Sequence, residues 1–257
     1  MTVLRTLEIH GLPLLSALPE SIGQLYQLTT LQLLFLPRIA RLPASVGLLA
    51  ALTTLTIDMC TALTALPSSL GSLATLTKLE IARCPELTEI PASLGLLVAL
   101  TTLIIKYCPA VRALPCSLGR LQALEMFYVG CTSLTSIPDT VGQMSALKIL
   151  TVRACGITTL PDTVGDLAAL RRLSVTWCMD LATLPVSIRE LTLESMHVQD
   201  CWSLREWREY APAVGCMILV LSARRLREPH MSDEVWMLLA SSPCRHTPCH
   251  TFDDGYI

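Results

Sequence analysis

A single residue pattern recurs along most of this chain at an almost constant interval. Each copy opens with a leucine, and successive copies begin 24 residues apart in the first part of the array and 23 residues apart in the last part. A fixed period of this length is typical of a solenoid, in which each copy folds into one coil and buries its apolar residues against the neighbouring coils. The opening residues are Leu4, Leu28, Leu52, Leu76, Leu100, Leu124, Leu147, Leu170 and Leu193.

The start of each copy has the alternation of a short β-strand with one buried face. In one representative copy, Leu79 and Ile81 are predicted to point inward. Their neighbours Lys78, Glu80 and Ala82 are predicted to point outward. Because the chain returns to the same register in every coil, neighbouring strands should be parallel, and nine of them would form a sheet about 40 Å long.

A proline and a glycine hold fixed places in the second half of the copies. Proline has no backbone N–H to give to a ladder, so the return segment should be irregular. The glycine four residues later suits a tight coil that needs either a positive φ or close backbone approach. We therefore predict short turns or single helical turns on the convex side. The prolines are Pro19, Pro43, Pro67, Pro91, Pro115, Pro138, Pro161 and Pro185, and the glycines are Gly23, Gly47, Gly71, Gly95, Gly119, Gly142 and Gly165.

Most of the eleven cysteines also occupy one place in the repeat. A position set by the repeat needs no redox or metal chemistry, so we interpret these residues as a buried column of small apolar groups with weak S–H donors. Parallel side-chain directions disfavour disulfide bonds, and reduced buried thiols are typical of cytosolic proteins. The column comprises Cys60, Cys84, Cys108, Cys155, Cys178 and Cys201, with Cys131 displaced by one missing residue.

The copies that begin at Leu52, Leu76 and Leu100 approximate the run Ile-x-x-Cys-x-x-Leu-x-x-Leu-Pro-x-x-Leu-Gly-x-Leu. This run resembles leucine-rich repeats, and in particular those of plant-type intracellular nucleotide-binding immune receptors, over roughly residues 4–207. Ras-scaffold and Ras-group leucine-rich repeat proteins are similar in the second half of the run but typically carry Asn in place of Cys. The resemblance implies an α/β right-handed solenoid, or horseshoe, with a concave parallel β-sheet and an irregular or short-helical convex side.

The resemblance to the immune receptors implies a cytosolic ligand-sensing and autoinhibitory module that is coupled to a nucleotide-binding switch. This sequence contains no Gly-x-x-x-x-Gly-Lys-Ser/Thr phosphate loop. We therefore expect either a free-standing recognition protein or a sensor segment whose nucleotide-binding switch domain lies on another chain or in a longer parent protein. Its role would lie in intracellular signalling or defence-like sensing.

Function in such a scaffold belongs to the outward positions, because the inward positions form the core. These positions lie two, four, six and seven residues after each opening leucine, and they carry aromatic and basic side chains, which often anchor protein contacts. We predict a site for a protein or peptide, with a mildly basic middle that suits an acidic partner segment. The alternative is that several of these side chains merely form a solvated wall. The predicted site residues are Phe35, Arg83, Lys106, Tyr107, Tyr128, Arg153, Arg172 and Trp177.

Composition narrows the setting in which this recognition would occur. Although 52% of the residues are hydrophobic, they are spread through the repeats and do not form the run of roughly 18 residues that a membrane-spanning helix needs. Arg5, Glu8 and Pro13 interrupt any N-terminal signal region. The net charge of −2 gives no basis for nucleic-acid binding. We expect a cytoplasmic protein with neither a membrane anchor nor a nucleic-acid partner.

The repeat fades after residue 188, and the remaining chain is predicted to close the open end of the solenoid. Residues 214–222 have the pattern of a buried strand, and residues 232–241 have the cap and apolar stripe of a helix. The predicted organisation is a leucine-rich-repeat array of about nine repeats over residues 1–207, a strand–helix cap over 208–242 and a flexible tail over 243–257.

No recognisable catalytic motif is present in the sequence. His197 lies on the outward face beside Asp200, and we interpret it as a surface residue. Four tail residues are potential metal ligands, but their spacing matches none of the usual zinc sites, so no metal and no other cofactor is expected. We predict that the protein is not an enzyme; a substrate-recognition adaptor for a ubiquitin ligase and a Ras-pathway-type signalling scaffold are the alternatives. The tail residues are Cys244, His246, Cys249 and His250.

Overall fold

Each copy of the repeat forms one coil, in which a five-residue β-strand is followed by a turn and a short 3₁₀ helix. The computed structural model describes residues 4–205 and 217–220. The strands are β1 (Thr6–His10), β2 (Thr30–Leu34), β3 (Thr54–Asp58), β4 (Lys78–Ala82), β5 (Thr102–Lys106), β6 (Met126–Gly130), β7 (Ile149–Arg153), β8 (Arg172–Thr176), β9 (Ser195–Gln199) and β10 (Met217–Val220).

The strands form one parallel sheet in which the spatial order equals the sequence order. The register is constant, so that Thr54 pairs with Lys78 and Lys78 pairs with Thr102. The strand predicted within 214–222 is present over its described part, where β10 pairs in parallel with β9. The predicted helix at 232–241 and the tail at 243–257 lie outside the described residues. The predicted solenoid with a parallel concave sheet is therefore confirmed.

The convex side consists of 3₁₀ helices, each of which begins directly after the repeated proline. That proline is extended, with φ near −70° at Pro67 and Pro115, which suits the residue before a helix. Bonds of the i to i+3 type close these turns, as where the Leu97 N–H donates to the Leu94 carbonyl at 3.1 Å. The described residues form no α-helix, and so none that could cross a membrane. The 3₁₀ helices are η1 (Glu20–Gln24), η2 (Ala44–Leu48), η3 (Ser68–Ser72), η4 (Ala92–Leu96), η5 (Cys116–Arg120), η6 (Asp139–Gln143), η7 (Asp162–Asp166) and η8 (Val186–Glu190).

The core is a continuous stack of the inward aliphatic side chains. Leu79 and Ile81 are fully buried, as predicted, and the same two places are buried in β2 to β9. In β1 these places, Leu7 and Ile9, are only partly buried, because no described coil covers that side of β1. Each interior coil therefore depends on both of its neighbours for a closed core.

Some outward positions are less exposed than predicted, among them Ala82 and Thr176, which hold the same place in their copies. Ala82 is only 1% exposed although its neighbours Lys78 and Glu80 are half-buried. Ala82 lies in register between Asp58 and Lys106, whose longer side chains flank it on the same face. The alternation of the strand thus gives the direction of a side chain correctly, while its exposure also depends on the neighbouring strands.

The repeated glycines allow close approach of the convex turns. Among the glycines in the described part of the chain, only Gly11, which lies outside this set, has a positive φ. A β-carbon added at Gly71 would lie 2.4 Å from the carbonyl oxygen of Ser93 in the next coil. Of the two reasons considered for these glycines, close backbone approach is therefore the one that applies.

The cysteines form the predicted buried column and are not paired as disulfides. In the column from Cys60 to Cys201, each thiol lies 3.3–3.9 Å from a backbone carbonyl oxygen, to which it can donate. Burial raises the pKa of Cys60 to about 11 and that of Cys131 to about 12. These two thiols are therefore protonated at neutral pH, which makes them poor nucleophiles and poor metal ligands.

Candidate partner-binding surface

The concave face consists of rows of outward side chains that run across the strands, one row for each outward strand position. The middle row passes through Glu80, Ile104, Tyr128 and Thr151, which pair in register across β4 to β7. All four are half-buried. Because neighbouring strands lie about 4.8 Å apart, side chains in one row are close enough to act on a ligand together.

The residue that follows each strand has a different geometry from the strand itself. Phe35, Arg83, Tyr107 and Trp177 lie just beyond the end of a strand and have φ values of 54°, 52°, 56° and 60°. Their backbone N–H groups still continue the ladder, as where Tyr107 donates to the Gly130 carbonyl at 2.7 Å. We call this row of residues the rim. It comprises Gly11, Phe35, Met59, Arg83, Tyr107, Ala154, Trp177 and Asp200.

The rim carries exposed aromatic side chains. Phe35 is 43% exposed, Tyr107 46% and Trp177 43%. Left-handed backbone is unfavourable for bulky residues, by about 1–2 kcal/mol for an ordinary L-residue. The pattern of the sequence indicated that these side chains point outward but not that their backbone is left-handed. The sequence did carry one indication of the left-handed backbone: Gly11 holds the same place in the first copy, and glycine adopts this conformation readily.

Acidic residues that were not among the predicted site residues pair with two of the basic ones. The Arg83 guanidinium donates from Nε to the Asp58 carboxylate at 2.8 Å and from a second nitrogen to the other carboxylate oxygen. Glu80 lies 3.5 Å from the Lys106 ammonium and 3.1 Å from that of Lys78. Part of the predicted basic character in the middle of the array is therefore neutralised within the chain.

The charge of the concave face becomes uniform further along the sheet. The outward positions and rim from β5 to β8 contain Lys106, Arg153 and Arg172, and they contain no aspartate or glutamate. Arg172 is exposed, whereas Lys106 and Arg153 are half-buried. The basic part of the surface is thus centred on β5 to β8.

Four apolar or aromatic side chains on β5 to β7, three of them not among the predicted site residues, lie together on the concave face. Ile104 pairs in register with Tyr128, and Met126 pairs with Ile149. All four side chains are half-buried on the concave face. We call these four residues the apolar strip. The signal available in the sequence was that Met126 and Ile149 occupy the place of Thr30 and Thr54 in other copies.

Gly130 gives the Tyr128 ring room to lie over the end of β6. A β-carbon added at Gly130 would approach the Tyr128 Cε1 atom and the Arg153 carbonyl oxygen to 3.2 Å each. The ring therefore occupies the space that a side chain at the end of β6 would take. This arrangement places the aromatic member of the apolar strip.

The structure divides the eight predicted site residues into two groups. Phe35 and Arg83 lie toward the first coils, where Phe35 makes an edge-on contact with the ring of His10, at 5.0 Å between ring centroids. Six residues fall on β5 to β8 or the adjoining rim and so share one window of the concave face. Those six are Lys106, Tyr107, Tyr128, Arg153, Arg172 and Trp177.

His197 is less exposed than the sequence suggested. Its Nε2 atom is buried and has no hydrogen-bond partner, and burial lowers the pKa of the imidazole. The side chain is consequently neutral at pH 7. Within residues 4–205 and 217–220, no group of three or more histidine, cysteine or acidic side chains is arranged to hold a metal ion.

Comparison with known proteins places this architecture in a family. Neither a comparison with protein-family models nor a search of curated proteins gives a match. Among solved structures, the leucine-rich repeat domain of the type III effector XopL is 30% identical, with a TM-score of 0.71, and the alignment covers 77% of this chain and 69% of that one. The chain belongs to the leucine-rich repeat family. The family is in general one of protein-interaction modules.

A second leucine-rich repeat structure shares the fold at lower identity. The Leptospira interrogans protein LIC12759 is 20% identical, with a TM-score of 0.60 over 80% of this chain. This leucine-rich repeat chain spans 64% of the length of that protein. The more specific resemblance to plant-type immune receptors stays a prediction.

Proposed function

We propose that this leucine-rich repeat protein binds a segment of a protein partner on the concave face between β5 and β8. The observation that supports the proposal most directly is that the apolar strip on β5 to β7 adjoins Lys106, Arg153 and Arg172 on β5, β7 and β8. Apolar and aromatic side chains bury surface on binding, while arginine adds directional hydrogen bonds; residues of these kinds dominate measured interface energies.

The proposed setting is intracellular signalling or defence-like sensing, in the cytoplasm. The buried column of free cysteines supports a reducing compartment, where such thiols persist. The sensing role follows from the predicted resemblance of the cysteine-containing repeats to those of intracellular immune receptors. A nucleotide-binding switch domain on another chain, or in a longer parent protein, is a partner consistent with that role.

The experiment uses a defined probe because the partner is unidentified. A random 12-residue peptide display library is selected on the full chain, and enriched peptides are synthesised and titrated against purified variants. The test variant combines Tyr107→Ala, Arg153→Glu and Trp177→Ala. The control variant makes the same kinds of change on the convex side. It combines Tyr26→Ala, Arg120→Glu and Val186→Ala, all at exposed positions.

We expect the control variant to bind the enriched peptides within about twofold of the original chain. The test variant should lose at least tenfold in affinity, which corresponds to about 1.4 kcal/mol. Peptides that bind the test variant as well as they bind the original chain would mean that the recognition surface lies elsewhere. Urea unfolding of both variants separates a loss of binding from a loss of folding.

A further inference from the structure

The rim has a gap between Tyr107 and Trp177. The sixth copy is one residue shorter, and Gly130 at the end of β6 is followed directly by Cys131, so this copy contributes no rim residue. The seventh copy contributes Ala154, whose side chain is a single methyl group. Two consecutive coils thus contribute almost no side chain of their own to the rim, between two exposed aromatic residues. The Tyr128 ring, which occupies the space over Gly130, lies beside this gap.

The gap has the dimensions of a single polypeptide chain. Tyr107 and Trp177 lie three coils apart, a separation of about 14 Å at the usual strand spacing. An extended chain with its side chains occupies about 10 Å, as the spacing of packed sheets indicates. One extended strand therefore fits between the two aromatic side chains, whereas it would meet bulky side chains at Phe35 and Arg83.

The requirements of the fold do not explain the two aromatic residues that border the gap. Their left-handed backbone is unfavourable for Tyr and Trp, and Gly11 in the same row is the residue that this conformation favours. Their side chains are 46% and 43% exposed, so they gain little from core burial. Residues held in unfavourable backbone conformations are concentrated at functional sites, where the surrounding structure compensates for the strain.

The charge around the gap specifies the chemistry of its occupant. On β5 to β8 the ionisable side chains at outward positions are Lys106, Arg153 and Arg172, with no carboxylate among them. Lys106 and Arg153 end the strands on either side of β6, directly below the gap. Glu80 on β4 lies 3.5 Å from the Lys106 ammonium and offsets part of this charge, while Arg153 and Arg172 keep the side toward β7 and β8 positive. A ligand that crosses there therefore meets net positive charge, which favours aspartate or glutamate side chains in the ligand.

We propose that an extended acidic segment of the partner enters or leaves the concave face through the gap at Gly130 and Ala154. One of its apolar side chains packs on the apolar strip, and its carboxylates face Lys106 and Arg153. Tyr107 and Trp177 flank the chain where it crosses the rim. This inference rests on the proposed function and adds to it the path and the charge of the bound segment.

The test fills the gap without altering the concave face. Ala154→Trp introduces at this rim position the side chain that Trp177 already carries in the next coil with a φ of 60°, so the backbone there is compatible with it. Met59→Trp is the matched control, because it introduces the same residue into the same rim conformation outside the gap. Ala154→Tyr serves as a second blocking variant should the larger ring destabilise the fold.

The probes are peptides from the same display selection, together with versions in which every Asp and Glu is changed to Asn and Gln. We expect the enriched peptides to be acidic and to lose at least tenfold in affinity both for Ala154→Trp and on amide substitution. Met59→Trp should bind them within about twofold of the original chain. This combination of results would support the proposed path and charge.

Three other outcomes would count against the inference, and they differ in their consequences. Peptides that need the concave residues but bind Ala154→Trp unchanged would overturn the path and leave the proposed function intact. Enriched peptides that are neutral or basic, or that tolerate amide substitution, would overturn the acidic segment. A selection without enrichment, or peptides indifferent to the concave variant, would overturn the inference and the proposed function together.

Discussion

The α-carbon of Gly95 packs directly against the backbone of Ser117 in the next coil. A β-carbon at Gly95 would lie 2.2 Å from the Ser117 carbonyl oxygen, far inside van der Waals contact. The Ser117 carbonyl belongs to the backbone, so it cannot move out of the way by a rotamer change as a side chain can. Successive 3₁₀ helices are therefore held closer together than any other residue at this position would allow.

Gly95→Ala should destabilise the solenoid strongly, because the two coils must separate or distort to admit the methyl group. We expect a loss of about 3 kcal/mol in the free energy of unfolding, as for severe overpacking. Gly11→Ala is the control, since a β-carbon there meets nothing within 4 Å and only the positive φ opposes it. That variant should lose about 1 kcal/mol. Equal losses in urea unfolding would contradict the role assigned to close approach.

Two serines at the same place in successive coils should respond differently to removal of the hydroxyl. The Ser117 Oγ donates to the Ala92 carbonyl at 2.6 Å, whereas the Ser93 Oγ is buried with no partner. Ser117→Ala should therefore cost about 1 kcal/mol, while Ser93→Ala should be neutral or slightly stabilising. Urea unfolding midpoints measured in parallel check the order of the two variants. A larger loss for Ser93→Ala would refute this account.

Ala154→Gly should raise stability, although glycine normally lowers it. Ala154 has a φ of 49°, and glycine removes the left-handed strain of about 1–2 kcal/mol at a conformational cost of about 0.5–1 kcal/mol. Ala168→Gly is the comparison, because this exposed alanine has no positive φ. It should lose about 0.5–1 kcal/mol. The thermal midpoints of the two variants should consequently move in opposite directions.

The buried thiols should make the protein less stable at alkaline pH. Burial raises the pKa of Cys60 from 9.0 to about 11, so the unfolded chain releases this proton first as pH rises. The contribution of the buried, protonated thiol to the free energy of unfolding is intact below pH 9. It is lost between about pH 9 and 11, by at most about 1.4 kcal/mol per pH unit for each thiol. We expect the free energy of unfolding to decline over this range and the decline to be shallower for Cys60→Ala combined with Cys131→Ala.

The control for this pH dependence is Cys116→Ala, which removes an exposed thiol on the convex side. That substitution should leave the slope of stability against pH unchanged. Urea titrations at pH 8, 9 and 10 measure the three slopes. A decline that is identical in all three proteins would show that groups other than the buried column cause it.

The repeat architecture could be predicted from the sequence because few folds can bury a regular series of apolar residues. Leu79 and Ile81 alternate with polar neighbours, and the same alternation recurs in each copy, so the strands had to be parallel and in register. The column of cysteines followed by the same logic. Outward-pointing candidates such as Tyr128 and Arg172 were also identifiable, since the inward positions were already assigned to the core.

The position of each outward residue relative to residues in other coils could not be obtained from spacing alone. The pairing of Arg83 with Asp58 joins side chains 25 residues apart, and it depends on rotamers and on the left-handed turn at Arg83. The separation of Phe35 from the remaining aromatic residues of the site, and the burial of Ala82 between longer neighbours, likewise depend on the stacking of the coils.

The sequence by itself determined that the chain forms stacked coils with a parallel sheet, because one hydrophobic period permits one regular burial pattern. Only the tertiary structure decided which outward residues act together. It gathered the apolar strip and three basic side chains onto β5 to β8 and opened a gap in the rim at Gly130 and Ala154. The reason is physical: burial in the core constrains every copy in the same way, whereas each outward side chain acquires its surroundings from neighbouring coils.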